Sequence, residues 1–278
     1  DEKFCERAMK FVLLKDNDSK YYTLDEYKQL IEPAQTNKDG NIVYLYSTDV
    51  VAQYNYINEA TQRGYSVLMM DGQLDSHFIG LMEQKLQKSS FVRVDSDIID
   101  NLIRKDDRKS ADLTPLQINI LTTLFKSQIP HVDKTEFLIQ FETLSPQAMP
   151  MVITQNEYMR RMKDMAAMQP GMAFYGELPD SYNLTVNTAQ KSVAEIMKEA
   201  ENALSSQVKP LSESIDAKNN DIEKLRKDAP EGKLSDEQKA ESARLEAEVE
   251  KLREEQEKLI AGYASTQPKI KQLIDLAL

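Results

Sequence analysis

Histidine and cysteine are nearly missing from this sequence: His77, His131 and Cys5 are the whole supply in 278 residues. A lone cysteine closes no internal disulfide, and neither histidine has a His or Cys neighbour at metal-ligand spacing, which excludes the usual zinc centres. Cys5, beside Phe4 in an expected helix, reads as a buried and inert thiol. Glycine is scarce, at 8 residues. Neither Gly-x-Gly-x-x-Gly nor Gly-x-x-x-x-Gly-Lys occurs, so the loops that cradle nucleotide phosphates are absent. No stretch approaches the roughly 20 apolar residues of a membrane span, and no basic leader followed by an apolar run marks a secretory signal. Basic residues are outnumbered, 35 Lys and Arg against 46 Asp and Glu, for a net charge of −11. That balance lacks the basic surplus of a phosphate-backbone binder. These absences set the expectation: a cytoplasmic protein with no metal, no catalytic residue, and neither nucleic acid nor membrane as partner.

What is present divides into two parts. Lys3 to Leu13 is expected as a helix, followed by a turn at Asp16-Asn17-Asp18. Thr23 and Glu26 stand in capping-box spacing, so a second helix starts there with Tyr27, Leu30 and Ile31 as its apolar face. Ile42 to Tyr46, Val67 to Met70 and Phe91 to Val94 are short β-favouring runs, separated by the helical stretches Asp49 to Arg63 and Asp75 to Leu86. Strands alternating with helices imply parallel pairing, because each crossover needs a helix to bring the chain back. Residues 1–110 are therefore read as a small three-layer α/β/α domain, closed by the charged linker Arg104 to Ser110.

Residues 111–278 read as an α+β domain. Thr114 as N-cap and Pro115 as first helical residue open a helix ending near Gln128, and Thr135 to Phe141, Met151 to Ile153 and Leu184 to Val186 read as strands. From Ala189 the composition shifts to Ala, Glu, Lys, Leu and Ser. Val193, Met197, Ala200 and Leu204 mark one helical seam, continued after a slip near Pro210 by Leu211, Ile215, Ile222 and Leu225. Asp228 to Gly232 breaks it. Ser235 with Gln238 then caps a helix whose seam is Leu245, Val249, Leu252 and Leu259, with Gln256 as its polar member. The reading is an antiparallel coiled-coil hairpin inserted at residues 191–262, with arms of roughly 40–55 Å at about 1.5 Å per residue; two solvated helices lying along the surface are the alternative. Pro268 opens a last helix with Ile270, Leu273, Ile274, Ala277 and Leu278 apolar. The chain starts at Asp1 and stops in mid-pattern, which is the expectation for a piece of a longer protein.

The most informative stretch is rich in methionine. Met159, Met162, Met165 and Met168 recur every third residue, behind Thr154 and Glu157 in capping-box spacing, which predicts an amphipathic helix from about Gln155 to Ala167. Arg160, Arg161, Lys163 and Asp164 supply charge around the rest, and Met149, Met151 and Met172 crowd the same segment. Such a stripe is either a core face or an adaptable binding surface, since an unbranched thioether repacks cheaply against different partners. A competing site is Asp71, Asp75 and His77, just after a strand at the carboxyl edge of the sheet, where open α/β folds hold ligands. It would make the first domain a metal- or ligand-binding module, although Asp71-Gly72 serves equally as a turn and Asp75 or Ser76 as a helix cap. A third reading makes residues 191–262 a structural coiled-coil scaffold.

Specific segments resemble a known family. Lys3-Phe4-x-x-Arg7, Tyr22 to Tyr27, Ile42 to Tyr46, and Gly64 to Asp71 followed by Leu74-Asp75 are similar, in order and spacing, to the later middle domain of the ninety-kilodalton heat-shock chaperones, in their bacterial HtpG branch. Met149 to Thr154, the Met-rich helix and Glu177-Leu178-Pro179-Asp180 resemble that family's C-terminal domain. The family's usual Asn-Pro-Asp-His stands here as Leu178-Pro179-Asp180-Ser181-Tyr182, and the long hairpin replaces a short connection. The resemblance implies an ATP-driven homodimer that binds unfolded or partly folded clients, with ATP and Mg held by an N-terminal domain outside this sequence and no cofactor within it. It implies client contacts at Met159, Met162, Met165, Met168, Met172, Phe174 and Tyr175. It further implies dimerisation through the last helices, here Ile270, Leu273, Ile274, Ala277 and Leu278, with weak or no dimer for this chain alone.

Overall fold

A computed structural model of the chain describes residues 7–72, 74–103, 111–155, 160–162, 179–227 and 235–278. It divides into two compact units: residues 1–109 with 133–138 and 153–183, and residues 110–132 with 139–152 and 184–278. Among the described residues no helix is long and apolar enough to cross a membrane.

The first unit is organised by β3 (Ile42–Ser47), all six of whose residues are buried. It lies between β4 (Val67–Met69) and β5 (Ser89–Arg93) and pairs with both in parallel. Side chains alternate across a strand, so Ile42, Tyr44 and Tyr46 enter one core with Leu68 and Phe91, while Val43 and Leu45 enter another with Val67. The first core is covered by α1 (Leu24–Ile31) through Tyr27 and Ile31, and by α3 (Asp75–Lys85) through Ile79 and Met82. The second is covered by α2 (Tyr54–Gln62) through Ile57 and Ala60, and by α4 (Ile99–Leu102). Tyr44 and Phe91 stack with centroids 4.7 Å apart, a contact worth about 1 kcal/mol beyond its burial. The alternation of strand and helix read from the sequence is thus the observed one.

The beginning differs from expectation. Helical backbone ends soon after Arg7, and Leu13 lies instead in β1 (Leu13–Lys15), which pairs antiparallel with β2 (Tyr21–Thr23). The turn between them is closed by Asp16, whose carboxylate accepts the N–H groups of Asp18 and Lys20, both at 2.9 Å, while Ser19 takes a positive φ of 63°. Three-residue strands carry too little periodicity to be distinguished from a helix end. Helix α2 is also shorter than Asp49 to Arg63. The Asp49 carboxylate accepts from Val51 and Ala52, and the buried Gln53 accepts from Ser47, Thr48 and Asp49, so residues 49–53 form a turn before the helix begins.

A further sheet has the order β6 (Thr135–Glu142), β8 (Asp180–Asn187), β7 (Met151–Gln155). In the second unit, α5 (Pro115–Lys126) starts at Thr114 with a complete capping box to Gln117, as its sequence dictates. Two long helices follow, α6 (Lys191–Lys227) and α7 (Asp236–Ser265), the second capped by Ser235 and Gln238. At about 1.5 Å per residue they span about 55 and 45 Å. Ile215 and Ile222 of α6 cluster with Val249 of α7, with Leu245 and Leu252 packed alongside. Lys218 pairs with Glu248, and Arg226 with Glu246 at 3.0 Å.

Gln256 is buried where three helices meet. Its amide donates to Ser212 Oγ on α6 at 2.8 Å and accepts from Asn119 Nδ2 on α5 at 2.9 Å. A buried amide satisfied on both sides permits only one axial register between its helices. The last helix, α8 (Pro268–Ala277), buries Ile270 and Ile274. Gln256→Ala would orphan both partners and is expected to lower stability by about 1–3 kcal/mol, read as a lower urea midpoint with an unchanged m-value.

Candidate functional site

The methionine-rich stretch is entered from β7, and the entry corrects the sequence reading. Thr154 is no helix cap: it and Gln155 lie inside β7, and the Thr154 hydroxyl is buried with no hydrogen-bond partner. Strand pairing has overridden a local signal whose spacing was right. Met151, at the start of the strand, is a core residue with 1% exposure. Glu157, Met159, Met165, Met168, Met172, Phe174 and Tyr175 lie outside the described residues, as does Cys5. Arg160, Arg161 and Met162 are described, and all three are helical.

Within the first unit, residues 153–155 and 160–162 bond to groups at the carboxyl side of β3 and β5. Tyr56 Oη donates to the Ile153 carbonyl. The Gln155 N–H donates to the Asp95 carbonyl at 3.1 Å. The Asp95 carboxylate is itself held by Arg93 and by Gln53 Nε2 at 2.7 Å. The next contacts come from the two arginines. Arg160 is only 7% exposed; it donates from Nη2 to Tyr46 Oη at 2.6 Å, and its guanidinium carbon stands 6.0 Å from the centroid of that ring. Arg161 donates from Nη1 to Glu83 Oε2 at 2.8 Å and from Nη2 to the Phe91 carbonyl at 2.7 Å. Glu83 Oε1 accepts the Phe91 N–H at 2.9 Å.

The sequence placed these arginines among the solvated charges of the helix. They are turned inward instead, because a guanidinium can serve a phenol, a carboxylate and a carbonyl at once. At about 100° per residue, two consecutive inward residues set the direction of the turn. Met162 follows about 100° further round the helix and is half-buried. No local pattern announces such contacts, since Tyr46 is 114 and Glu83 78 residues away in sequence.

The competing cluster does not assemble. Asp71 and His77 are exposed, and the Asp75 carboxylate accepts the Gly72 N–H at 2.9 Å, closing the turn before α3 instead of capping the helix. Among the described residues no three His, Cys, Asp or Glu side chains stand where they could share a metal ion. The apolar residues of α8 assigned to dimerisation are partly used within the chain: Ile274 is fully buried and Ile270 1% exposed, with Leu273 and Ala277 half-buried, while Leu276 is 74% and Leu278 54% exposed.

Over its entire length the chain is 45% identical to the chaperone protein HtpG of Bacteroides thetaiotaomicron. It belongs with the HtpG chaperones. The chaperone proteins HtpG of Porphyromonas gingivalis and Bacteroides fragilis align equally completely, at 44% and 43% identity. The chain spans 41% of the length of each of these HtpG relatives. No family model matches it.

Burial pushes the Tyr56 phenol up to about 12, with the Asp95 carboxylate adding to the effect. The raised value favours the neutral phenol in the folded state, so its contribution to stability is complete below the unfolded value of about 10 and is lost as pH rises from there to about 12. The stability difference between wild type and Tyr56→Phe is therefore expected to shrink across that window, as measured by urea unfolding at stepped pH.

Proposed function

We infer that this chain is the client-binding part of an HtpG-type chaperone, which holds non-native polypeptide by apolar contact and without covalent chemistry. One observation carries the reading beyond family membership. Arg160 and Arg161 face the body of the first unit, and at about 100° per residue the helical period turns the next position, Met162, away from their mean direction. A core stripe would require the reverse orientation. Methionine suits the task, because its flexible, polarizable side chain adapts to sequences that share only apolarity. The proposed contacts are Met159, Met162, Met165 and Met168, with Met172, Phe174 and Tyr175 beside them.

The remaining roles follow from the same resemblance. ATP turnover, with Mg, belongs on this reading to a part of the parent outside this chain. The parent is a cytoplasmic homodimer in which α8 contributes to the subunit contact through Leu273, Ala277 and Leu278, while Ile270 and Ile274 are already buried within the chain. Helices α6 and α7 act as an antiparallel coiled-coil arm with the Gln256 contact at its base.

The test is binding of a reduced, alkylated and permanently unfolded protein, followed by fluorescence anisotropy. Met162→Glu is expected to weaken binding about tenfold while leaving the circular dichroism spectrum intact, because a carboxylate on a half-buried apolar contact must be fully desolvated when the client binds. Full affinity in a folded Met162→Glu chain would refute the reading. Unfolding by this substitution would assign Met162 to the core.

A further inference from the structure

Among the described residues β5 is an edge strand, since the order β4-β3-β5 leaves one of its sides without a neighbouring strand. An edge strand exposes backbone groups that must be paired or covered. At Phe91 the cover is made by two side chains: Glu83 Oε1 accepts its N–H at 2.9 Å, and Arg161 Nη2 donates to its carbonyl at 2.7 Å. The two side chains are joined to each other through Arg161 Nη1 and Glu83 Oε2 at 2.8 Å. The ion pair therefore satisfies both backbone groups of one residue, as a further strand would. It is about 30% exposed on each side, which makes it weaker than a fully enclosed pair, yet each of its outer bonds is charge-assisted. One residue earlier, Arg160 reaches Tyr46 at the end of the neighbouring strand. The helical turn at 160–162 is thus held at two points, on two adjacent strands of one sheet.

We propose that Arg160 and Arg161 are positioning residues for the client-binding face: by fastening consecutive residues to Tyr46 and to the Phe91 edge, they fix the rotation of the turn about its own axis and keep Met162 directed outward. A single contact leaves that rotation free. Two contacts about 100° apart on the helix remove it. The proposal rests on the client-binding reading, but its geometric content does not, and the two can fail separately. It also gives Glu83 a defined part, as the group that orients Arg161 and occupies the Phe91 N–H.

The experiment combines amide exchange with client affinity in the full 278-residue chain. Arg161→Gln is expected to speed exchange at residues 161–162 and at Phe91 by about tenfold, the scale of a lost charge-assisted bond, and to weaken binding of the alkylated unfolded protein severalfold. Arg161→Lys, which can still donate to both Glu83 and the Phe91 carbonyl, should recover most of both effects. Arg160→Met keeps the buried volume and should accelerate exchange at residues 160–162 without exposing Phe91. Unchanged exchange in folded Arg161→Gln and Arg160→Met chains would overturn the proposal. So would faster exchange with unaltered client affinity, because rotation of the turn would then be irrelevant to binding. If the wild-type chain binds no unfolded protein, the client-binding reading fails while the exchange data still decide whether the two arginines hold the turn. Should Arg161→Gln fail to fold, the Arg161→Lys and Arg160→Met pair decides by the same readouts.

Discussion

The complete burial of β3 is the constraint from which the first unit follows. Six consecutive buried residues require a layer on each face and a partner on each side, and the chain supplies them in order: α1 and α3 over the tyrosines, α2 and α4 over Val43 and Leu45, β4 and β5 on the flanks. The carboxyl end of the strand is then the remaining opening. In many open sheets that opening receives a ligand. Here Gln53, Asp95, Arg93 and Arg160 fill it, and the chain's own residues 153–155 and 160–162 take the place a small molecule would have. The position is used for attachment, which is why polar groups at the sheet end coexist with no ligand cluster among the described residues.

Much of this was legible because it is local. Thr23, Thr114 and Ser235 each bond the third residue onward and receive a bond in return; the chemistry is complete within four residues, so the sequence contains it. Thr154 shows where such reasoning stops. Its spacing to Glu157 matches the others, but β7 claims its backbone, and no four-residue window reveals that a distant strand will pair there. The β-favouring run of β3 and the seam of α7 were likewise visible, because both are carried by neighbouring or regularly spaced residues of one segment.

The site was less legible for the same reason. An arginine on an amphipathic helix is solvated in most proteins, and only the partners show otherwise. Tyr46, Glu83 and Phe91 come from two strands and a helix, brought together by parallel crossovers that the sequence indicates only as topology. Family likeness pointed to the methionines, and the physical orientation of the turn came from residues that the likeness had not singled out. The α8 face illustrates the converse: family likeness assigned its apolar residues to a subunit contact, yet Ile270 and Ile274 are already covered within the chain.

Pro210 sits inside α6, two residues before Ser212. Without an N–H it leaves the Ser206 carbonyl unpaired along the helix axis, and a helix is least resistant to bending where such a bond is missing. The two long helices therefore have their soft point beside the buried Ser212–Gln256–Asn119 contact, where sliding between helices is blocked. Mechanically the two features oppose each other: the missing bond makes bending of α6 cheaper here than elsewhere along it, while the buried amide resists axial sliding at the same level.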